Sequence, residues 1–78
     1  MSKTKKTVIP KWFDGEIYEM GEEVENRFTG ESYYLNNIEL SIYDWTIGCE
    51  MIQNWEGLRK GLDWFRTYNA KAYMVLLD

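Results

Sequence analysis

Apolar side chains recur at helical spacing through the second half of this 78-residue chain. Intervals of four, three, four and three residues separate one row of them, which places the whole row on one face of a helix. Asn36, with Glu39 three residues later, has the pattern of a capping box and marks the start of that helix. The pattern predicts a helix over about residues 37–55. Its first apolar row contains Ile38, Ile42, Trp45, Cys49 and Ile52.

A second apolar row lies about 100° or more around the same helix. Two such rows predict a helix that is buried on two sides, within the fold or against a partner protein. This second row contains Leu40, Ile47, Met51 and Trp55.

Another helix is predicted over about residues 57–68, after a break at Gly57. Trp64 lies off its core face and is expected at the surface. Gly57 and Gly61, one turn apart, leave two interpretations open. They let a neighbouring helix approach closely, or Gly57 caps the helix while Gly61 is merely tolerated. The predicted core face consists of Leu58, Leu62 and Phe65.

The last segment, residues 70–77, is predicted to be a short terminal helix with Tyr73, Met74 and Leu77 facing inward. A terminal strand is the alternative, because residues 73–77 form a continuous apolar run.

The first half of the chain has an extended rather than a helical pattern. Residues 22–26 and 31–35 flank a loop that ends in Gly30, a residue suited to the left-handed conformation of a bulged hairpin turn. A β-hairpin is predicted there, with an irregular acidic arm as the alternative. The fold class is therefore α+β and mostly α: a hairpin or extended arm packed on two antiparallel helices and a short C-terminal helix. Residues 12–78 are predicted to form a single small globular domain.

Charge is distributed unevenly along the chain. Lys3, Lys5, Lys6 and Lys11 give residues 1–11 a charge of +4, and this segment is predicted to be a disordered basic tail. The remaining 67 residues hold five basic and thirteen acidic side chains, a net charge of −8. Such an acidic body disfavours general affinity for nucleic acid, which needs a basic face.

The residue types that most often carry catalysis are scarce. The chain has no histidine, and its one cysteine, Cys49, lies in an apolar row where a buried structural thiol is expected. The acidic cluster of residues 19–25 does not have the spacing of a calcium loop. Residues 57–61 lack the Gly-Lys-Ser/Thr ending of a phosphate loop. The prediction is a protein that is not an enzyme and uses no cofactor or metal.

The sequence also bears on location. No stretch approaches the roughly 20 apolar residues that span a bilayer. The opening residues MSKTKKT lack the apolar core of a signal peptide, and a lone cysteine fits a reducing compartment. A cytoplasmic location without membrane contact is expected.

Thirteen aromatic residues are more than so small a core is expected to enclose. Exposed tryptophan and tyrosine are enriched at protein interfaces. For two of them, Trp64 and Tyr43, the alternative is that they cover the edges of the core. The predicted partner-binding residues are Trp12, Phe13, Tyr43, Trp55 and Trp64.

Two specific strings stand out in the second half, RKGLDWFR at residues 59–66 and AYMVLLD at residues 72–78. With shorter stretches at residues 30–35, 43–44 and 48–51, they resemble small uncharacterised proteins of marine bacteriophages, cyanophages included. The resemblance covers about residues 24–78. It implies an early or accessory phage protein that acts in the host cytoplasm, and it implies no catalytic residues.

The leading functional prediction is a non-enzymatic interaction protein that binds or inhibits a host or viral protein, or that self-associates as a homo-oligomer. The acidic segment would steer it toward a basic partner. The alternative is a nucleic-acid-associated factor that uses the lysine tail and a basic helix face. That face contains Arg59, Lys60, Arg66 and Lys71.

Overall fold

A computed structural model describes residues 9–78, and within them a two-stranded antiparallel sheet precedes a set of helices. The predicted α+β, mostly α fold is confirmed. Residues 1–8 of the predicted basic tail lie outside the described residues. The elements are β1 (Glu22–Glu25), β2 (Ser32–Leu35), α1 (Asn37–Met51), α2 (Trp55–Tyr68) and α3 (Ala70–Ala72), which continues as a π-helical turn (Tyr73–Leu77).

The strands form the predicted hairpin rather than an irregular arm. Glu22 pairs with Leu35 at one end of the ladder, and Glu25 pairs with Ser32 at the other. Gly30 adopts the expected left-handed conformation, with φ of +80°. Because side chains alternate across a sheet, Leu35 is buried in the core while its neighbour Tyr34 is exposed to solvent. The hairpin thus adds one apolar face to the core.

The capping box at the start of α1 is confirmed. The Asn36 side chain accepts a hydrogen bond from the Glu39 N–H at 2.8 Å, and the Glu39 carboxylate accepts one from the Asn36 N–H at 2.9 Å. Glu39 is buried and also accepts a hydrogen bond from the Asn69 side chain at 2.9 Å. One carboxylate therefore ties the start of α1 to the end of α2.

The predicted boundary between the two long helices is wrong. α1 ends at Met51, and α2 begins at Trp55. Gln53 has φ of 62°, and the Asn54 side chain caps α2 by accepting a hydrogen bond from the Gly57 N–H at 3.1 Å. The change of direction therefore occurs at residues 52–54, because asparagine is a strong N-cap. Gly57 lies inside the first turn of α2.

The two glycines of α2 lie at its contact with α1, as one of the two interpretations predicted. Both are buried, and a Cβ atom added to Gly61 would overlap the side chain of Thr46. A Cβ atom added to Gly57 would lie 2.6 Å from the Cys49 sulfur. The missing side chains let the helix backbones approach closely.

The expected surface position of Trp64 is also wrong. Its side chain is only 5% exposed, and its ring packs at 5.0 Å from that of Phe65 in an edge-to-face arrangement. Leu58 and Leu62, which were expected on the core face, are half-buried. Because α2 presents its glycines to α1, its buried stripe is rotated toward Trp64. The buried hydrophobic cluster contains Leu35, Leu40, Ile42, Trp64, Phe65, Ala72 and Leu76.

The terminal segment is helical, so the alternative strand is wrong. Its last turn is wider than an α-helical turn, since the Asp78 N–H donates to the Tyr73 carbonyl five residues earlier at 2.8 Å. The wider turn changes which side chains face inward. Leu76 is buried, whereas Met74, predicted to face inward, is exposed.

Candidate functional site

The five predicted partner-binding residues do not form one surface. Trp12 and Phe13 pack against Trp45, with ring centroids 5.2 and 5.9 Å apart from it. Trp12 and Phe13 are both partly buried and pack against the core. Trp64 is buried, and Trp55 is 57% exposed.

Tyr43, the fifth predicted residue, is half-buried at the junction of two surface grooves. Burial raises the pKa of its phenol, as does the nearby carboxylate of Asp44, while the positive charge of Arg27 partly opposes the shift. The phenol is therefore protonated at pH 7.

The most exposed large apolar side chains lie elsewhere. Phe28, at the tip of the hairpin, is 95% exposed, and Met51, at the end of α1, is 78% exposed. Both line a groove of about 460 Å³ between the hairpin loop, α1 and the terminal segment, which we call the loop groove. Its lining consists of Glu25, Asn26, Arg27, Phe28, Tyr43, Ile47, Glu50, Met51, Leu76, Leu77 and Asp78.

Hydrogen bonds fix the loop that carries Phe28. The Asn26 side chain accepts a hydrogen bond from the Phe28 N–H at 2.8 Å and donates one to the Val75 carbonyl at 2.9 Å. The Gly30 N–H donates to the Asn26 carbonyl at 2.8 Å, and the Thr29 hydroxyl accepts from the Glu31 N–H at 3.2 Å. The backbone that carries the exposed ring is therefore held in place, because Asn26 joins the loop to the terminal segment.

The loop groove combines an apolar floor with a charged rim. Arg27, Glu25, Glu50 and Asp78 are exposed around half-buried Ile47 and Leu77 and buried Leu76. Within residues 9–78 Arg27 makes no salt bridge, so its guanidinium is available to a partner. Aromatic, methionine and arginine side chains are the types enriched in protein interfaces.

A second groove, of about 480 Å³, lies between β1 and α1, and we call it the edge groove. Tyr18 lines this groove, and its hydroxyl donates a hydrogen bond to the Asp44 carboxylate at 2.8 Å. That hydrogen bond, and the charge of Asp44, raise the pKa of Tyr18. Its lining holds carboxylates and no basic side chain, and consists of Tyr18, Met20, Glu22, Glu23, Val24, Glu25, Leu40, Tyr43 and Asp44.

The predicted basic helix face is exposed but partly neutralised. Arg66 pairs with Asp63 at 2.8 Å and lies over the ring of Tyr73, while Lys60 lies 3.9 Å from Glu56. Arg59 and Lys71 are exposed as well. Two of the four cations thus already have carboxylate partners.

Cys49 is buried, as predicted, and burial together with the charge of Asp14 raises the pKa of its thiol. Such a thiol is mostly protonated at pH 7 and is a weak nucleophile. Among residues 9–78 no group of three or more acidic or cysteine side chains is arranged to hold a metal ion. In the same part of the chain, none of the helices has the length and apolarity needed to cross a membrane.

The sequence interpretation missed Phe28 and Arg27 as site residues. The sequence did indicate Phe28, because loops lie at the surface and an aromatic side chain in a predicted hairpin loop is therefore expected to be exposed. Met51 was placed in an apolar row expected to be buried, but α1 ends at this residue and its side chain extends into solvent.

The chain has no match among protein families, curated proteins or solved structures.

Proposed function

We propose that this protein is a non-enzymatic interaction module that binds another protein through the loop groove. The observation that supports it best is the state of Phe28, whose ring is 95% exposed on a loop fixed by hydrogen bonds. A monomeric fold gains nothing from holding a large apolar ring in water, whereas a binding surface gains contact area.

The energetics favour this role. Covering a phenylalanine or methionine side chain contributes about 1.5–3 kcal/mol each. The hydrogen-bonded loop is already ordered, so less conformational entropy is lost on binding. The rim cation Arg27 adds a group that pairs well with carboxylates of a partner.

The alternative role in nucleic-acid association receives less support. The described body of the protein is acidic, and Lys60 and Arg66 of the basic face already lie beside carboxylates. The phage origin, the host or viral identity of the partner and the cytoplasmic location stay predictions from the sequence.

A matched pair of double variants tests the proposal. Phe28→Ser with Met51→Ser removes apolar area from the loop groove, and Met74→Ser with Tyr34→Ser removes it from exposed sites outside the groove. Each tagged variant is isolated under mild conditions from the cell that produces the protein, and the proteins retained with it are compared with those retained by the wild type.

We expect the groove variant to lose a retained partner, or self-association, that the wild type and the control variant keep. All three proteins should have free energies of unfolding within about 1 kcal/mol of one another, because the altered side chains are exposed. Retention of the same partners by the groove variant at equal stability would refute the proposal.

A further inference from the structure

Strand β1 pairs with β2 along one edge, and all four of its residues line the edge groove. The described sheet contains only β1 and β2, so the second edge of β1 has no strand beside it within residues 9–78. β2 packs against the terminal segment, whereas β1 borders an open groove whose far wall is α1. An unpaired edge next to a groove is the geometry that accepts an additional strand.

The pairing pattern identifies which backbone groups of β1 point away from β2. The Asn26 N–H donates to the Glu31 carbonyl at 2.7 Å, so residues 26 and 31 are a hydrogen-bonded pair. Such pairs alternate along an antiparallel ladder. Val24 and Glu22 therefore bond to β2, while the N–H and carbonyl groups of Glu23 and Glu25 point outward.

The side chains around this edge indicate which charge a binding partner would carry. Four carboxylates line the edge groove, contributed by Glu22, Glu23, Glu25 and Asp44, and no basic side chain lies among its lining residues. Val24, Leu40 and Tyr43 supply apolar contact between them. Glu23 and Glu25 lie on the same face of β1, since they are two residues apart.

We propose that the edge groove binds an extended segment of another protein that carries lysine or arginine at alternate positions. The segment adds to β1 as a third strand and forms backbone hydrogen bonds with Glu23 and Glu25. Its basic side chains lie opposite the two glutamates, and an apolar side chain between them contacts Val24 and Tyr43.

The same charges exclude a second copy of β1 as the occupant. Edge-to-edge pairing of two such strands would bring glutamates of both copies together, and like charges across a strand pair are destabilising. The acidic edge thus prevents self-pairing and selects a basic strand. This surface is separate from the loop groove except for Glu25 and Tyr43, which line both.

Two synthetic peptides of equal charge test the proposal on the full-length protein. One alternates lysine with valine, and the other has the same sequence with its backbone nitrogens methylated, so that it cannot donate the backbone hydrogen bonds of a strand. Binding is measured by fluorescence anisotropy at low and physiological salt. Amide hydrogen exchange by NMR then reports which N–H groups become protected.

We expect the lysine–valine peptide to bind at least tenfold more tightly than the methylated peptide. At saturation it should slow exchange at the Glu23 and Glu25 amides and leave that of Val24, already within the ladder, unchanged. Equal affinity of the two peptides would overturn the proposal, because it would show attraction by charge alone. Tight binding without protection of these two amides would overturn it as well.

A pair of charge variants gives the control. Glu23→Gln with Glu25→Gln should weaken binding of the lysine–valine peptide about fivefold, the effect of losing two partly exposed ion pairs. Glu16→Gln with Glu31→Gln removes the same charge outside the edge groove and should change the affinity less than twofold. Equal loss in both variants would contradict a site at the β1 edge.

Discussion

Replacing Trp64 with alanine is expected to lower the free energy of unfolding by about 3–5 kcal/mol. The ring is only 5% exposed and contacts Phe65 and Tyr68, so its removal leaves a cavity in the core. Trp55→Ala is the matched control, because that tryptophan is 57% exposed and belongs to the same helix. It should cost less than about 1 kcal/mol.

Urea unfolding followed by circular dichroism measures both variants. A domain of this size has little stability to lose, so Trp64→Ala is accompanied by Trp64→Phe, which keeps an aromatic ring and should cost about 1–3 kcal/mol. Equal effects at positions 55 and 64 would contradict the placement of Trp64 in the core.

A single added methyl group at Gly61 is expected to destabilise the protein by about 3 kcal/mol. The Cβ atom of Gly61→Ala would overlap the Thr46 hydroxyl and lie 2.8 Å from its methyl group. Thr46 has no room to move, since it is fully buried and donates its hydroxyl to the Ile42 carbonyl at 2.7 Å. The two long helices would have to separate.

Gly48→Ala provides the opposite case in the partner helix. No atom lies within 4 Å of a Cβ atom added there, so the substitution should raise the free energy of unfolding by about 0.5–1 kcal/mol. The melting temperatures of the two variants should therefore move in opposite directions. A stabilising Gly61→Ala would show that α1 and α2 do not pack through the glycines.

Features that depend on neighbouring residues were predictable from the sequence. The Asn36–Glu39 capping box and the left-handed Gly30 are both local, because a few adjacent residues contain the whole interaction. The helix break was misplaced for a related reason. The break was predicted at Gly57 because glycine often ends a helix, although Asn54 is the residue that caps α2.

Features that depend on packing between elements were not predictable in the same way. The apolar spacing of α2 fits more than one core face, and only its contact with α1 through Gly61 decides that Trp64 is inside. The loop groove also depends on packing between elements that are distant in sequence. It exists because Asn26 holds the hairpin loop against Val75, 49 residues away in sequence.

The proposed interaction depends on the exposed ring at the tip of the hairpin. Its most direct test places a photoreactive phenylalanine at position 28 and, as a control, at position 74, whose native methionine is exposed outside the loop groove. Both proteins are irradiated in the cell that produces them, and adducts are separated by mass. We expect a discrete protein adduct from position 28 that position 74 does not give. No adduct from position 28, or the same adducts from both positions, would contradict a binding role for the loop groove.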